Sequence, residues 1–169
     1  MEVITTKRLI LRPLAGGDRD VIVQLLNDID VSRWLTVVPH PYTSADFDAF
    51  LHFLAEGAKL EGLAVQSKDG VIGVVGIGNT LGYWLGAAYQ NKGYMTEAAG
   101  ALVDRFFHNT EAQSLGSGYF EGNTASFGVL KKLGFAPTGV IVPEYSQAQG
   151  VELPLIKVSL SRDDWRRLK

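Results

Sequence analysis

The stretch 80–107, TLGYWLGAAYQNKGYMTEAAGALVDRFF, limits the possible folds of this chain more than any other. Its first part alternates. Leu81, Tyr83 and Leu85 fall on one side of a strand over 80–86, and Gly82, Trp84 and Gly86 fall on the other. After the turn Gln90-Asn91-Lys92-Gly93, apolar residues recur at Met95, Ala98, Ala99, Leu102, Val103, Phe106 and Phe107. That recurrence matches the helical period of about 3.6 residues and predicts one long helix with a single buried face. A strand that hands a polar, glycine-containing turn to a helix start makes an anion site. The first-turn N–H groups lack intrahelical partners, and the positive end of the helix dipole points the same way. Gly93 suits such a turn, because it adopts backbone angles other residues avoid and lets a phosphate approach. An ordinary structural strand–turn–helix is the competing reading. A nucleotide P-loop is excluded because no Gly-Lys-Ser/Thr follows, and a dinucleotide fingerprint because the glycine triplet is missing.

The flanking segments are read the same way. Residues 8–14 alternate as a strand ended by Pro13 and the Gly16-Gly17 turn, and Asp18 is placed to cap a helix with Val21, Ile22, Leu25 and Leu26 inward. A short helix is predicted around Val31, Trp34 and Leu35, and a loop at Pro39-His40-Pro41-Tyr42. Thr43 or Ser44 then caps a helix with Phe47, Phe50, Leu51 and Leu54 on one face. Segments 62–68 and 71–78 flank Lys68-Asp69-Gly70, a hairpin signal, and 80–86 continues the meander. Residues 114–121 form the next strand. Asn123 caps a helix with Ala125, Val129, Leu130 and Leu133, ended by Gly134. Two last strands, 135–142 and 151–160, are joined by a loop containing Pro143-Glu144-Tyr145, and Ser161 caps a terminal helix. Early hairpins followed by a crossover indicate an α+β protein with a mixed, mostly antiparallel sheet of about seven strands flanked by helices.

Composition narrows function. At 169 residues and 46% hydrophobic the chain is expected to be one domain, 1–169, with a real core. A net charge of −2 with no basic run argues against nucleic acid as a partner. The absence of cysteine removes disulfides, thiolate metal sites and a covalent cysteine intermediate. No apolar run approaches the ~18 residues of a membrane span, so no membrane partner is expected and the default location is the cytoplasm. The three histidines, His40, His52 and His108, have no metal-ligand spacing, so no metal site is predicted.

Three motifs carry a resemblance. Gln90-x-x-Gly93-x-Met95 resembles the acetyl-CoA pyrophosphate loop of the GNAT N-acetyltransferases. Thr6-Lys7-Arg8-Leu9-Ile10-Leu11-Arg12-Pro13-Leu14 resembles the first strand of their RimJ/RimL-like branch, the ribosomal-protein alanine acetyltransferase type. Asn123-Thr124-Ala125-Ser126 followed by Leu133-Gly134-Phe135 resembles its second cofactor motif. Together they span nearly the whole chain in the right order. The resemblance implies the GNAT fold, splayed between its fourth and fifth strands, and direct transfer of an acetyl group from acetyl-CoA, the cosubstrate, to an amine acceptor. It implies that the pantetheine arm pairs with free backbone near Trp84 and Leu85, with Gly86 allowing a bulge where strand pairing stops. The Leu85 N–H would polarise the thioester carbonyl. Backbone of Gln90, Asn91, Lys92, Gly93, Tyr94, Met95 and Thr96 would hold the pyrophosphate. Met95 stands where the family prefers a small residue, and its side chain either crowds that site or turns into the core.

By the same resemblance Asn123 and Ser126 are cofactor contacts, and Ser126 is a candidate to protonate the departing sulfur. A tyrosine used by many relatives four residues later is here Leu130. Asn123 as a plain helix cap and Ser126 as a packing serine are equally open readings. An α-amine, with a pKa of about 7.7–8.0, needs far less help from a base than a lysine amine near 10.4. Glu121, two residues before Asn123, is the candidate catalytic base; Tyr83, Glu144 and Tyr145 are weaker ones. Trp34, Tyr42 and Phe47, from the helical region that walls the acceptor pocket in the family, are candidate substrate contacts together with Tyr83 and Tyr145. Plain core aromatics are the alternative for each. The acceptor is expected to be a protein N-terminus or a small-molecule amine, and the protein a monomer or homodimer. A non-catalytic acyl-CoA-binding sensor or scaffold is the runner-up, and a fold-only relative that binds no CoA is a third possibility.

Overall fold

The computed structural model of the chain describes residues 3–57 and 60–169. Among these residues eight strands form two antiparallel sheets. The first runs in the order β1-β2-β3-β4-β5, with β1 Ile4–Thr5, β2 Ile10–Pro13, β3 Glu61–Ser67, β4 Gly70–Ile77 and β5 Leu81–Leu85. The second runs β6-β8-β7, with β6 Ser114–Phe120, β7 Ala136–Ser146 and β8 Val151–Ser161. Among the described residues six α-helices complete the fold: α1 Arg19–Leu26, α2 Ile29–Ser32, α3 Ser44–Ala55, α4 Tyr94–Asn109, α5 Thr124–Lys132 and α6 Arg162–Arg167. The strand count exceeds the expected seven because β1, two residues long, carries no periodic signal.

Two cores lie on opposite faces of the first sheet. The larger joins Leu63, Val65, Leu81 and Leu85 to Met95, Ala98, Leu102 and Phe107 of α4 and continues to Leu130, Val158 and Leu160. The smaller joins Ala64, Val71 and Val74 to Ile22 and Leu26 of α1 and Phe47 of α3. Strand alternation sorts these residues, but β4 needs one correction to it. The pairing shifts between Val65–Gly73 and Gln66–Val71, which leaves Ile72 as an extra residue. This bulge carries Ile72 onto the same face as Val75 and Ile77, under α4. The helical stripe predicted for α4 is the buried one, with only Phe106 left half-exposed.

Several local expectations change. Asp18 does not cap α1 with its side chain; its carboxylate takes two hydrogen bonds from the Arg12 guanidinium, at 2.8 and 2.9 Å, and one from the Ala15 N–H. Trp34 and Leu35 lie beyond the end of α2. Pro143, Glu144 and Tyr145, expected in a loop, belong to β7. Proline is tolerated there because β7 is the edge strand and Pro143 faces Pro154. The Pro154 carbonyl points to β6, where it accepts from the Glu121 N–H at 2.9 Å. The Pro143–Pro154 pair is therefore a non-hydrogen-bonded one, and neither missing N–H breaks the β7–β8 ladder.

Between the two sheets the chain holds a parallel contact at one point, the bridge Thr80–Gly116. Beyond it β5 and β6, the fourth and fifth of the seven strands expected, diverge. The buried Ser117 hydroxyl donates to the Leu81 carbonyl at 2.8 Å, standing in for the ladder bond that the divergence removes. No bulge forms at Gly86. Its N–H donates to the Ile72 carbonyl at 2.9 Å, and a Cβ there would stand 2.7 Å from Leu25 Cδ2, so a side chain at this position would have to displace the Leu25 side chain of α1.

Candidate active site

The diverging strands open a cavity of about 630 Å³ that runs from β5 and β6 to the starts of α4 and α5. Backbone direction alternates along β5. The Gly86 N–H points to β4, so Trp84 and Gly82 do too, while Tyr83 and Leu85 turn their main-chain groups into the cleft. The Leu85 carbonyl is satisfied there by the Gln90 side-chain amide at 3.0 Å, and the Leu85 N–H remains directed at the cavity. Trp84 borders the cavity, and its side chain packs against the smaller core.

Beyond Leu85 the chain makes a single 3₁₀ turn, Ala87–Tyr89, and enters the loop before α4. Two residues of this loop take left-handed backbone angles, Asn91 at φ 60° and Gly93 at φ 77°. Gly93 is the N-cap, and no side chain caps α4. The first hydrogen bond of the helix runs from the Glu97 N–H to the Gly93 carbonyl, so the N–H groups of Tyr94, Met95 and Thr96 have no intrahelical partner. Gln90, Asn91, Gly93, Tyr94, Met95 and Thr96 all border the cavity; Lys92 does not. The Met95 side chain is packed in the main core at 3% exposure and does not crowd the loop.

On the opposite wall Asn123 caps α5, its Oδ1 accepting from the Ser126 N–H at 3.2 Å. The cap fixes the first turn and with it Ser126, which borders the cavity. Tyr83 reaches across from β5. Its hydroxyl lies 2.9 Å from Ser126 Oγ and 3.1 Å from the Ser126 carbonyl oxygen. Burial pushes the Tyr83 phenol up to about 12, against a smaller lowering by the Ser126 hydrogen bond, so it stays protonated at neutral pH. Leu130, at the position of the missing tyrosine, is buried in the main core.

The base and the acceptor contacts fall differently from expectation. Glu121 is exposed and outside the cavity, its main chain tied to Pro154. Among the described residues the carboxylate that borders the cavity is Glu144, half-buried on β7, with Lys157 and Lys132 as the bordering cations. Trp34 and Tyr83 line the cavity. Tyr42 and Phe47 do not: at 7% and 0% exposure they are core residues of the smaller cluster. Tyr145, 47% exposed, points away from the cavity beside Glu144, as alternation along β7 requires. Leu35, Thr36 and Val31 complete the wall next to Trp34. No group of three metal-ligating side chains occurs among the described residues, and no helix of theirs is long and apolar enough to cross a membrane.

Residues 8–136 match the family model described as the acetyltransferase (GNAT) domain. The N-acetyltransferase p20 of Bacillus licheniformis, itself uncharacterised, is 27% identical over 179 residues, an alignment covering 98% of this chain and 99% of that protein. Among solved structures, the ribosomal-protein-S5-alanine acetyltransferase of Vibrio fischeri superposes with a TM-score of 0.81 at 23% identity, covering 98% of this chain and 99% of the other. The microcin C7 self-immunity acetyltransferase MccE, solved with acetyl-CoA and AMP, superposes with a TM-score of 0.80 at 20% identity, covering 92% and 93%.

Proposed function

The chain belongs to the GNAT acetyltransferase family, and from that premise we propose that it transfers an acetyl group from acetyl-CoA directly to a primary amine within a ternary complex. The observation that carries this reading is a convergence. One cavity is bordered by the cleft-facing edge of β5, the uncapped start of α4 and the Ser126 hydroxyl. A diphosphate fits the left-handed loop and the unpartnered amides of Tyr94, Met95 and Thr96, which need an acceptor that no side chain provides. An extended amide-bearing arm fits the free edge at Tyr83 and Leu85.

Acetyl-CoA supplies an activated acyl carbon and a thiolate leaving group. The chain's own groups do the rest. The Leu85 N–H donates to the acyl oxygen as negative charge grows on it. Glu144 accepts the proton that the amine loses as its nitrogen bonds to the acyl carbon. Ser126 Oγ gives a proton to the sulfur as the carbon–sulfur bond breaks, and recovers one from solvent. Tyr83 holds that hydroxyl in place. A single carboxylate suffices for an α-amine, of which roughly a tenth or more is already uncharged near neutral pH. That favours a protein N-terminus or an amino-acid-like amine over a lysine side chain. The likeness to a ribosomal-protein alanine acetyltransferase supports the same choice.

The test is release of free CoA thiol from acetyl-CoA with a panel of amines, including peptides with free N-termini, polyamines and aminoglycosides. Turnover above hydrolysis supports the transferase. Tight binding without turnover on any amine would make the protein an acyl-CoA sensor instead. Absence of thermal stabilisation by CoA, where saturation at a hundredfold its Kd would give about 2.7 kcal/mol, would leave only the fold.

A further inference from the structure

The start of α4 contains a conflict. Glu97 stands in the first turn of the helix whose amides would hold the diphosphate. A carboxylate there suits the helix dipole but repels a second anion at the same end. The structure turns this carboxylate away and gives it three hydrogen bonds. Glu97 Oε1 accepts from the Thr6 hydroxyl at 2.6 Å and from the Arg8 N–H at 2.8 Å; Oε2 accepts from Arg8 Nε at 2.7 Å. The same guanidinium goes further. Arg8 Nη1 donates to the Lys92 carbonyl at 2.9 Å, and the group lies 4.5 Å over the Tyr94 ring. Arg8 Nη2 is 3.4 Å from where a Cβ on Gly93 would stand. One side chain thus braces the loop on both sides of its left-handed glycine.

From this geometry we infer that Arg8 is a positioning residue for the diphosphate loop, acting through Glu97 and Lys92 without lining the cavity itself. It neutralises the carboxylate nearest the anion and draws it back toward the segment before β2. It also fixes the Lys92 carbonyl outward, so that the amides after Gly93 converge on one point. Arginine is required because a single planar fork must reach a carboxylate and a carbonyl together; a lysine ammonium makes either contact but not the pair. The Glu97 carboxyl accordingly lies below its ordinary range: burial would raise it, and the hydrogen bonds from Thr6 and Arg8 outweigh that.

This inference rests on the acetyl-CoA reading above, and the experiment separates the two. Turnover is measured for the wild type, Arg8→Ala and Arg8→Lys with acetyl-CoA and with acetyl-pantetheine, which lacks the diphosphate and nucleotide. Arg8→Ala is expected to raise the KM for acetyl-CoA about tenfold, with kcat at saturation within about twofold and the KM for acetyl-pantetheine unchanged. Arg8→Lys is expected to recover only part of the loss. An equal loss on both substrates would mean that Arg8 merely stabilises the fold, and unchanged constants would mean that it does nothing for the loop; either overturns the inference. A wild type that turns over neither thioester would instead overturn the acetyl-CoA reading itself.

Discussion

The Tyr83 hydroxyl and Ser126 Oγ lie 2.9 Å apart across the cleft, joining the free edge of β5 to the first turn of α5. The two residues are 43 positions apart in sequence, and the phenol also reaches the Ser126 carbonyl oxygen at 3.1 Å. When the phenol donates to that carbonyl, Ser126 keeps its proton toward Tyr83; when it donates to Oγ, the serine proton is free to turn to a sulfur. The pair is a means of aiming one proton.

Ser126→Ala therefore is expected to lower kcat about a hundredfold with little change in the KM for acetyl-CoA, the size of a lost general acid. Tyr83→Phe keeps the ring packing and removes the aim, so a loss of about threefold to tenfold in kcat is expected. Steady-state kinetics on both variants checks this. An unaltered rate in Ser126→Ala would return the serine to a packing role.

The raised phenol makes an alkaline prediction. The Tyr83 pKa is shifted from 10.0 to about 12 in the folded protein, chiefly by burial. The stability linked to it is complete below the unfolded value and is lost as pH rises through about 12. Burial moves Tyr42 in the same way, from 10.0 to about 12. Tyrosinate absorbance titrated on the wild type, Tyr83→Phe and Tyr42→Phe is expected to lose one late-ionising component in each variant. A Tyr83→Phe curve that loses its component near the ordinary value would refute the burial account.

Glu144→Gln is expected to lower kcat/KM by about two orders of magnitude, because among the described residues it removes the carboxylate that borders the cavity. Glu121→Gln, at an exposed position outside it, is expected to act like wild type. The reverse pattern would restore Glu121 as the base.

How far these groups were legible in the sequence depends on how local the signal is. The α4 stripe, the Asp69-Gly70 hairpin and the Asn123 cap are each written within a few residues, and each appears in the structure. Glu144 was named only as a weaker base, and its strand was obscured by Pro143, which reads as a loop until its partner, Pro154, is known. Phe47 and Tyr42 sit on an apolar helix face and its approach; periodicity marks a buried face but not whether core or ligand covers it. The Arg8–Glu97 pair joins residues 89 positions apart, and no periodic pattern announces a contact of that range.

Gly93→Val is expected to abolish CoA binding while leaving a cooperative unfolding transition. A β-branched residue at φ 77° costs roughly 1–2 kcal/mol and sets side-chain atoms against Arg8 Nη2. Calorimetry with CoA and thermal unfolding check the two halves. Unchanged affinity would dissociate the loop from the ligand.

Asn123→Ala is expected to lower stability by about 1 kcal/mol and to slow turnover in parallel, since the cap that satisfies the Ser126 N–H also sets the serine's place. Denaturant melts beside kinetics decide it; a stability loss with full activity would leave Asn123 a cap and nothing more.

Whether main-chain amides at the head of α4 hold a diphosphate is read by following backbone amide resonances as CoA and then pantetheine are added. CoA is expected to move the Tyr94, Met95 and Thr96 amides strongly, and pantetheine to move Tyr83 and Leu85 but leave those three in place. Amides of α4 that stay still under saturating CoA would contradict a diphosphate held there.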